Sequence, residues 1–299
     1  MNMDFKSAKE LLDLCEENQL PISEVMRQRE CLLGETPRDA VDHRMAKAWE
    51  IMHASATQPL KKPIKSMGGL IGGEAKKLET HYNKKKNICG DVLQKAMTYA
   101  MAVLEVNASM GLIVAAPTAG SAGVVPGMML ALQECYRISD QRIVDALFNA
   151  GAVGYLAMRN ATVAGAVGGC QAEVGAASGM AAAALVDIKG GTAEQCAEAF
   201  AMALTNLEGL VCDPVAGLVE IPCIKRNVIG AMNAVSAADM ALAGVVGHIP
   251  ADEVIDAMAE VGNAMSKDLR ETGIGGLAGT PTGRAICEIV TMDNGEEED

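Results

Sequence analysis

Two long stretches of the chain carry almost no charge, and they constrain the fold more than any other feature of the sequence. Residues 96–132 contain one charged side chain, Glu105, and residues 165–185 contain only Glu173. Neither stretch alternates between apolar and polar residues, as a half-buried strand would. Aromatic residues make up only 3% of the chain, so Ala, Gly and Met must fill the core, and helices can approach one another closely. This pattern predicts an all-α fold built as a single multi-helix domain.

Three regions are predicted along the 299 residues. Residues 1–62 are expected to form an N-terminal helical segment packed on the core, and its third helix should end near residue 56. Residues 63–290 form the main domain, and residues 291–299 form an acidic, disordered tail. A hydrophobic content of 50% at this length is enough for one large core or two modest ones.

Charge and composition argue against some classes of partner. A formal net charge of −13 argues against nucleic acid, whose binding needs basic surface. The apolar stretches raise the alternative of a membrane transporter, but prolines and glycines interrupt them and no aromatic belt marks a bilayer interface. We therefore expect no membrane association. Nine cysteines and an N-terminus without an apolar signal region indicate reduced thiols in the cytoplasm, where metal or redox roles outrank disulfides.

Three cysteines differ from the other six because each lies beside glycine, proline or aspartate in a non-helical context. Cys89, beside Gly90, is ambiguous and is read as structural. Cys170 follows two glycines, and Cys212 and Cys223 lie eleven positions apart in residues 209–227. Proline and glycine interrupt that segment, which is also apolar and should form a buried, irregular loop. Because a buried loop must satisfy its backbone groups internally, a bound inorganic centre would stabilise it.

The spacing of these cysteines favours an iron–sulfur centre over zinc without deciding between them. Zinc sites typically contain closely spaced pairs such as Cys-x-x-Cys, and the chain has none. A 4Fe–4S cluster takes four ligands, so three cysteines would leave one iron open to act as a Lewis acid. A non-catalytic scaffold that holds a structural cluster or zinc remains an alternative.

Five motifs, in the same order along the chain, carry a resemblance to a known family. They are the glycine-containing segments 66–77, 116–126 and 271–278, the Gly-Cys-Gln-Ala-Glu-Val-Gly motif at 169–175, and the segment with two cysteines at 212–227. From about residue 65 to residue 282, the chain resembles the α chain of the bacterial iron–sulfur-dependent L-serine dehydratases, or L-serine ammonia-lyases. The resemblance implies that Cys170, Cys212 and Cys223 hold a 4Fe–4S cluster. It also implies that L-serine becomes pyruvate and ammonia without pyridoxal phosphate.

The same resemblance implies a mechanism and a second chain. An open iron would bind L-serine and polarise its hydroxyl as a leaving group, while a base removes the α-hydrogen. Single-chain members of the family carry an additional N-terminal domain, which two-chain members have as a separate β subunit, so a β partner is implied here. An iron–sulfur L-cysteine desulfidase on the same scaffold is the alternative enzyme, since it would differ in the leaving group.

The predicted substrate contacts lie in two glycine-rich loops and directly after the last of the three cysteines. Loop amides before a helix that begins near Pro126 suit a carboxylate, and glycine permits close backbone approach. The alternative is that these glycines only allow helices to cross closely. The positive charges that follow Cys223 would tune an anionic cluster, hold the carboxylate, or form plain surface salt bridges. The predicted contacts are Ser66, Gly68, Gly69, Thr118, Gly120, Ser121, Lys225 and Arg226.

The sequence leaves the catalytic base and any fourth cluster ligand open. Of the four histidines, His81 lies nearest a glycine-rich loop and is the candidate base in this chain, with the β partner as the other source. Cys287 is either a fourth ligand of the resting cluster or an ordinary helical cysteine. The twelve residues that follow it favour the second reading.

Overall fold

Thirteen α-helices and no strand form the regular structure of residues 3–295, which the computed structural model describes. The prediction of an all-α fold in a single domain is confirmed, since the described residues contain one isolated β-bridge, between Cys212 and Arg270, and no sheet. The helices are α1 (Ala8–Asn18), α2 (Ile22–Leu33), α3 (Arg38–Lys61), α4 (Glu74–Asn83), α5 (Asp91–Ala108), α6 (Val124–Tyr136), α7 (Asp140–Asn160), α8 (Gly165–Gly168), α9 (Ala176–Ile188), α10 (Ala193–Thr205), α11 (Cys223–Leu242), α12 (Ala251–Ala264) and α13 (Pro281–Gly295).

Helix α9 is the central element. Every residue from Ala176 to Val186 is buried, and most of them are Ala or Gly. Helices α6, α7, α10 and α11 pack around α9, and α5 packs against α6 and α11. A helix that is apolar on all sides must be enclosed by others, because no face of it suits water. No helix within residues 3–295 has both the length and the apolar character needed to cross a bilayer.

Glycine sets the distance at which the neighbours approach α9. A Cβ atom at Gly179 would lie 2.6 Å from Cδ2 of Phe200 on α10. A Cβ atom at Gly154 on α7 would lie 2.7 Å from the sulfur of Met180 on α9. Because close-packed interiors do not tolerate such contacts, any larger residue would push these helices apart. The scarcity of aromatic residues therefore reflects closely spaced helices.

The N-terminal helices α1–α3 pack on this core, and a buried arginine on α2 forms ion pairs with carboxylates of α2, α3 and α7. Helix α2 packs on α7, and α3 packs on α5 and α7. Arg27 on α2 is 4% exposed and contacts three carboxylates: Glu24 at 3.0 Å, Asp42 at 2.6 Å and Asp145 at 2.5 Å. Its guanidinium also lies 4.4 Å from the centre of the Phe148 ring. We call Arg27 and its three carboxylates the Arg27 cluster.

Several predicted boundaries are wrong. Helix α3 does not end near residue 56 but continues to Lys61, with Pro59 in its last turn. The segment 209–227 is irregular only up to Pro222, because α11 begins at Cys223. Helix α13 extends to Gly295, so residues 291–295 of the predicted disordered tail are helical, and residues 296–299 lie outside the described residues. Pro222 stands at the N-cap, before the first helical residue, where its missing N–H removes no hydrogen bond from the helix interior, so it precedes α11 without preventing it.

Candidate functional site

Cys170 stands at the start of a π-helical turn, Gln171–Gly175, that leads directly into α9. Single π-turns are rare and occur frequently at functional sites. The buried side chain of Gln171 accepts a hydrogen bond from the Gly209 amide at 2.8 Å, and its backbone amide donates to the Leu210 carbonyl at 3.0 Å. These bonds fasten the Cys170 turn to the beginning of the segment that contains Cys212.

Cys212 is held through its backbone by the glycine-rich loop that follows α12. Its amide donates to the Leu269 carbonyl at 2.8 Å, and its carbonyl accepts from the Glu271 amide at 2.7 Å. The next residue, Asp213, accepts a hydrogen bond from the Leu277 amide at 2.7 Å. Both sides of this irregular segment are therefore satisfied by another loop, as a buried segment requires.

Two of the three cysteines meet a buried carboxylate. The ligand atoms of Cys170, Glu173 and Cys212 all lie within 4.8 Å of one another, and all three residues are buried. We call these three residues the compact group. A Cβ atom at Gly165 would lie 2.6 Å from Oε2 of Glu173 and 3.2 Å from the sulfur of Cys212, so glycine keeps this space open.

Glu173 is held by a neutral partner. Its Oε1 accepts a hydrogen bond from the Thr118 hydroxyl at 2.7 Å, and its Oε2 lies 4.0 Å from the sulfur of Cys212. Burial raises the pKa of Glu173 to about 7, while the hydrogen bond from Thr118 opposes that shift. The Glu173 carboxyl group, with a pKa close to neutrality, therefore lies beside two thiols.

Cys223 approaches the compact group from the first turn of α11 but is not part of it. Burial and the nearby charge of Cys170 raise the pKa of Cys223 to about 12. Asn227, one turn later, donates to the Cys223 carbonyl at 3.0 Å and to the Gly120 carbonyl at 2.8 Å, and it accepts from the Gly123 amide at 2.9 Å. One side chain thus ties the start of α11 to the loop that contains Thr118.

Arg226 places a positive charge directly beside Cys170. Its Nη1 lies 3.6 Å from the sulfur of Cys170 and 2.7 Å from the Val211 carbonyl, and its Nη2 forms an ion pair with Asp213 at 2.7 Å. A hydrogen bond from Cys212, and then Arg226, lower the pKa of Cys170. The same bond and burial raise the pKa of Cys212. Arg226 is therefore no plain surface salt bridge, whereas Lys225 is exposed.

The loop at 118–123 lies on Glu173. Thr118 and Ser121 cap the short turn between them, and their hydroxyls are 3.1 Å apart. A Cβ atom at Gly120 would lie 2.9 Å from Oε1 of Glu173. The structure thus brings three of the predicted contacts, Thr118, Gly120 and Ser121, to the edge of the compact group.

The loop at 66–72, which contains the predicted contacts Ser66, Gly68 and Gly69, directs its polar groups to a carboxylate of this chain. The Ser66 hydroxyl donates to Oε2 of Glu220 at 2.6 Å, and the Gly68 amide donates to Oε1 at 2.7 Å. The Leu70 amide adds a third bond to the same carboxylate, at 3.0 Å. Because these donors are taken by a residue of the segment with two cysteines, the loop, including Gly69, supports that segment.

Two further predicted residues, His81 and Cys287, are not members of the compact group. His81 is exposed on α4 and shares an open concavity with four lysines. Cys287 lies half-buried on α13, a helix that packs against residues 215–217. A cavity of about 560 Å³ lies between α2, α3, α6, α7 and the segment 114–117 that precedes Thr118, and it is lined mainly by apolar residues such as Met52 and Phe148.

Comparison with known proteins identifies the family. Residues 17–278 match the family described as serine dehydratase alpha chain. The probable L-serine dehydratase alpha chain of Bacillus subtilis is 50% identical over 282 residues, which cover 94% of each chain. The chain belongs to the serine dehydratase alpha chain family. The L-serine dehydratase alpha chain of Peptoniphilus asaccharolyticus is 46% identical over 282 residues, covering 94% of this chain and 97% of that one.

Some relatives in this comparison are considerably longer. The L-serine dehydratase of Streptomyces coelicolor is 38% identical over 280 residues, which cover 92% of this chain but only 60% of the relative. About two fifths of that protein therefore has no counterpart in this serine dehydratase alpha chain.

The residues of this family member fit a sulfur-ligated iron cluster. Cys170, Cys212 and Cys223 provide three buried thiols, and Arg226 provides a cation beside the first of them. Thiolates are the ligands of iron–sulfur clusters, and adjacent positive charge stabilises the thiolate form. Gly165 leaves room where a Cβ atom would otherwise lie against Cys212.

Sequence reasoning did not single out Glu173 as a functional residue. The available signal was its isolation, since it is the only charge in residues 165–185. A lone charge in an apolar helical stretch must be buried with a partner or stand at a site.

Proposed function

We propose that this chain is the catalytic α subunit of an L-serine dehydratase, which converts L-serine to pyruvate and ammonia. The observation that carries the proposal is the compact group, in which Cys170, Glu173 and Cys212 converge in the interior of a serine dehydratase alpha chain. Buried thiols beside a carboxyl group of raised pKa are the kind of arrangement found at catalytic sites.

Cys170, Cys212 and Cys223 are the proposed ligands of a 4Fe–4S cluster. When bound, a cluster with three protein ligands supplies an iron that acts as a Lewis acid toward the serine hydroxyl. Arg226, at 3.6 Å from the Cys170 sulfur, offsets the negative charge of the thiolates. Gln171 and Asn227 fix the backbone around Cys170 and Cys223, so that the ligands are held before the substrate arrives.

Glu173 is the proposed catalytic base. Thr118 holds Oε1, which leaves Oε2, near Cys212, to take the proton. Removal of the α-hydrogen places its proton on Oε2, the electron pair forms the Cα–Cβ double bond, and the hydroxyl leaves as hydroxide with the Cβ–O electron pair. The proton held on Oε2 then converts this hydroxide to water and restores the Glu173 carboxylate. The resulting 2-aminoacrylate tautomerises to an imine and hydrolyses to pyruvate and ammonia. A base with a pKa near the working pH is effective in such a step.

Three further assignments belong to this proposal. The turn at 118–121 is the proposed contact for the substrate carboxylate, since it lies directly on Glu173. The active enzyme contains a separate β subunit, as the alpha chain names of the relatives suggest. The enzyme is proposed to work in the reducing cytoplasm, because oxygen would attack a cluster iron that is open to substrate.

The test is an anaerobic reconstitution followed by titration with substrate. Iron and sulfide are measured first, and the electron paramagnetic resonance spectrum is then recorded with and without L-serine. We expect about four irons per chain for a 4Fe–4S cluster, a spectrum that changes on adding L-serine, and pyruvate formation in the presence of the β chain. A spectrum that does not respond to L-serine would assign the cluster to a structural role. Faster pyruvate formation from L-cysteine than from L-serine would favour the desulfidase.

A further inference from the structure

Exposed apolar side chains stand on the segments that build the site. Met67, Val167, Ile274 and Leu277 are 67%, 49%, 61% and 45% exposed, respectively. They come from three separate segments of the chain: the loop before α4, the short helix α8, and the glycine-rich loop after α12. We call these four side chains the rim.

Each rim segment contacts residues of the site or of the segment with two cysteines, at positions close to its apolar residue. Met67 lies between Ser66 and Gly68, which both bond Glu220. Val167 lies two residues after Gly165, whose Cα faces Glu173 and Cys212. The Val167 carbonyl also accepts a hydrogen bond from Arg270, at 3.3 Å, which links α8 to the third segment.

The third segment is joined to the residue that follows Cys212. Leu277 carries the amide that donates to Asp213 at 2.7 Å, and Ile274 belongs to the same loop. The rim residues therefore stand on loops that hold Glu220, Asp213 and the backbone of Cys212. Single exposed apolar residues are ordinary, but a set of them around one site marks an interaction surface.

We propose that the β subunit docks on the rim and closes the site against water. This inference rests on the proposed function. The occupant follows from the names of the relatives: the Bacillus subtilis and Peptoniphilus asaccharolyticus proteins, of which 94% and 97% are covered by this chain, are both called alpha chains, and that name implies a β partner.

Docking at the rim also has a chemical reason. Exclusion of bulk solvent favours proton transfer to Glu173, because electrostatic interactions are stronger away from water. A partner that covers the rim would remove that solvent while leaving the ligands to this chain. Apolar anchors at the centre of an interface contribute most of its affinity.

The test compares two isoleucines that are similarly exposed in loops. Ile274 is 61% exposed and belongs to the rim, whereas Ile249 is 52% exposed in the loop before α12. That second loop contacts α10, through the Gly247 amide and Glu198 at 2.8 Å, and none of its bonds reaches the compact group. Variants Ile274→Asp and Ile249→Asp are prepared with their cluster, and the purified β chain is titrated into each without oxygen.

We expect Ile274→Asp to weaken β-chain binding at least ten-fold, and Ile249→Asp to change it less than two-fold, since a charge at an apolar anchor is desolvated on docking. Met67→Asp, from a different loop, should weaken binding in the same way and guards against local misfolding at Ile274. Circular dichroism and iron content should match the wild type in all three variants.

Three outcomes would overturn the proposal. One is unchanged β-chain affinity in both rim variants. Another is loss of affinity only in Met158→Asp, a variant of the apolar cavity on α7, which would place the partner there. The third is a homodimer of this chain that is formed through the rim. In that case the rim variants would become monomeric, and their affinity for the β chain would not change. If the wild-type pair binds tightly and produces no pyruvate, the proposed function fails while docking stands.

Discussion

The Arg27 cluster and the compact group bury the same kind of charge in opposite ways. In the Arg27 cluster, Glu24, Asp42 and Asp145 all contact one guanidinium within 3.0 Å. In the compact group, Glu173 is paired with the hydroxyl of Thr118. Hydrogen bonding to Arg38 lowers the pKa of Glu24 to about 2, whereas burial raises the pKa of Glu173 to about 7.

This difference separates a structural carboxylate from the carboxyl group that we propose as the catalytic base. A carboxylate surrounded by cations is stabilised in its charged form and holds helices together. A carboxyl group buried with a neutral partner can exchange its proton near neutral pH. Substitutions in the Arg27 cluster should therefore change stability and leave chemistry intact, while substitutions in the compact group should do the reverse.

The largest effect is expected for Cys212→Ala. This change removes a proposed ligand at the centre of the compact group, so iron content and pyruvate formation should both fall to background. Cys135→Ala is the matched control, because Cys135 is a partly buried thiol on α6 that takes no part in the site. Iron analysis and turnover are measured on both proteins. Full turnover in Cys212→Ala would refute the ligand assignment.

Glu173→Gln should have the next largest effect, and it should separate the base from the ligands. The amide keeps the shape and the hydrogen bond with Thr118 but cannot accept the substrate proton. We expect turnover to fall by about 10²- to 10⁴-fold, the usual contribution of general acid–base catalysis. Iron content and melting temperature should remain close to those of the wild type.

The control for Glu173→Gln is the same change at the other site. Glu24→Gln should leave turnover within about two-fold, since the ion pairs of Glu24 with Arg27 and Arg38 support the docked N-terminal helices and take no part in the compact group. If Glu173→Gln loses its iron together with its activity, Glu173 acts as a ligand or a support of the cluster, and the base must be sought in the β chain.

The contrast also shows what could be read from the sequence. The two lone charges of the apolar stretches, Glu105 and Glu173, are both buried. Burial of a lone charge in an apolar helical stretch is foreseeable, because the fold leaves it no aqueous surface. Their roles could not be predicted from the sequence. Glu105 accepts a hydrogen bond from the Ala75 amide at 2.9 Å and supports the start of α4, whereas Glu173 lies beside two cysteines.

Partners from distant parts of the chain decide those roles. Thr118, 55 positions upstream, donates a hydrogen bond to Glu173. Glu220 accepts hydrogen bonds from the 66–72 loop, which lies about 150 positions away in the sequence. The composition of the motifs predicted two glycine-rich loops. It did not show that the loop with Thr118 contacts Glu173, the proposed base, whereas the loop with Gly68 contacts Glu220, a structural carboxylate. The helical start at Cys223 was missed for a local reason, since Pro222 was taken only as a breaker.

In the Arg27 cluster, the substitution to compare with those in the compact group is Arg27→Met. It keeps the apolar contact with Phe148 but leaves three carboxylates without their shared cation. We expect a loss of about 3 kcal/mol in the free energy of unfolding, at the lower end for a broken buried pair because the carboxylates are partly exposed. Iron content and turnover per folded chain should not change. Arg38→Met, whose side chain is 52% exposed, should cost less than about 1 kcal/mol.

The smallest effect is a pH dependence confined to the Arg27 cluster. The pKa of Glu24 falls from its ordinary 4.5 to about 2 in the folded chain. A depressed pKa means that the contribution of this carboxylate to stability is complete above about pH 4.5 and disappears as the pH falls toward 2. Urea unfolding of the wild type and Glu24→Gln at pH 7 and pH 3 measures it. The wild type should be the more stable protein at pH 7, and the gap should narrow at pH 3. An equal gap at both values would mean that Glu24 stabilises the docked helices by packing instead of by charge.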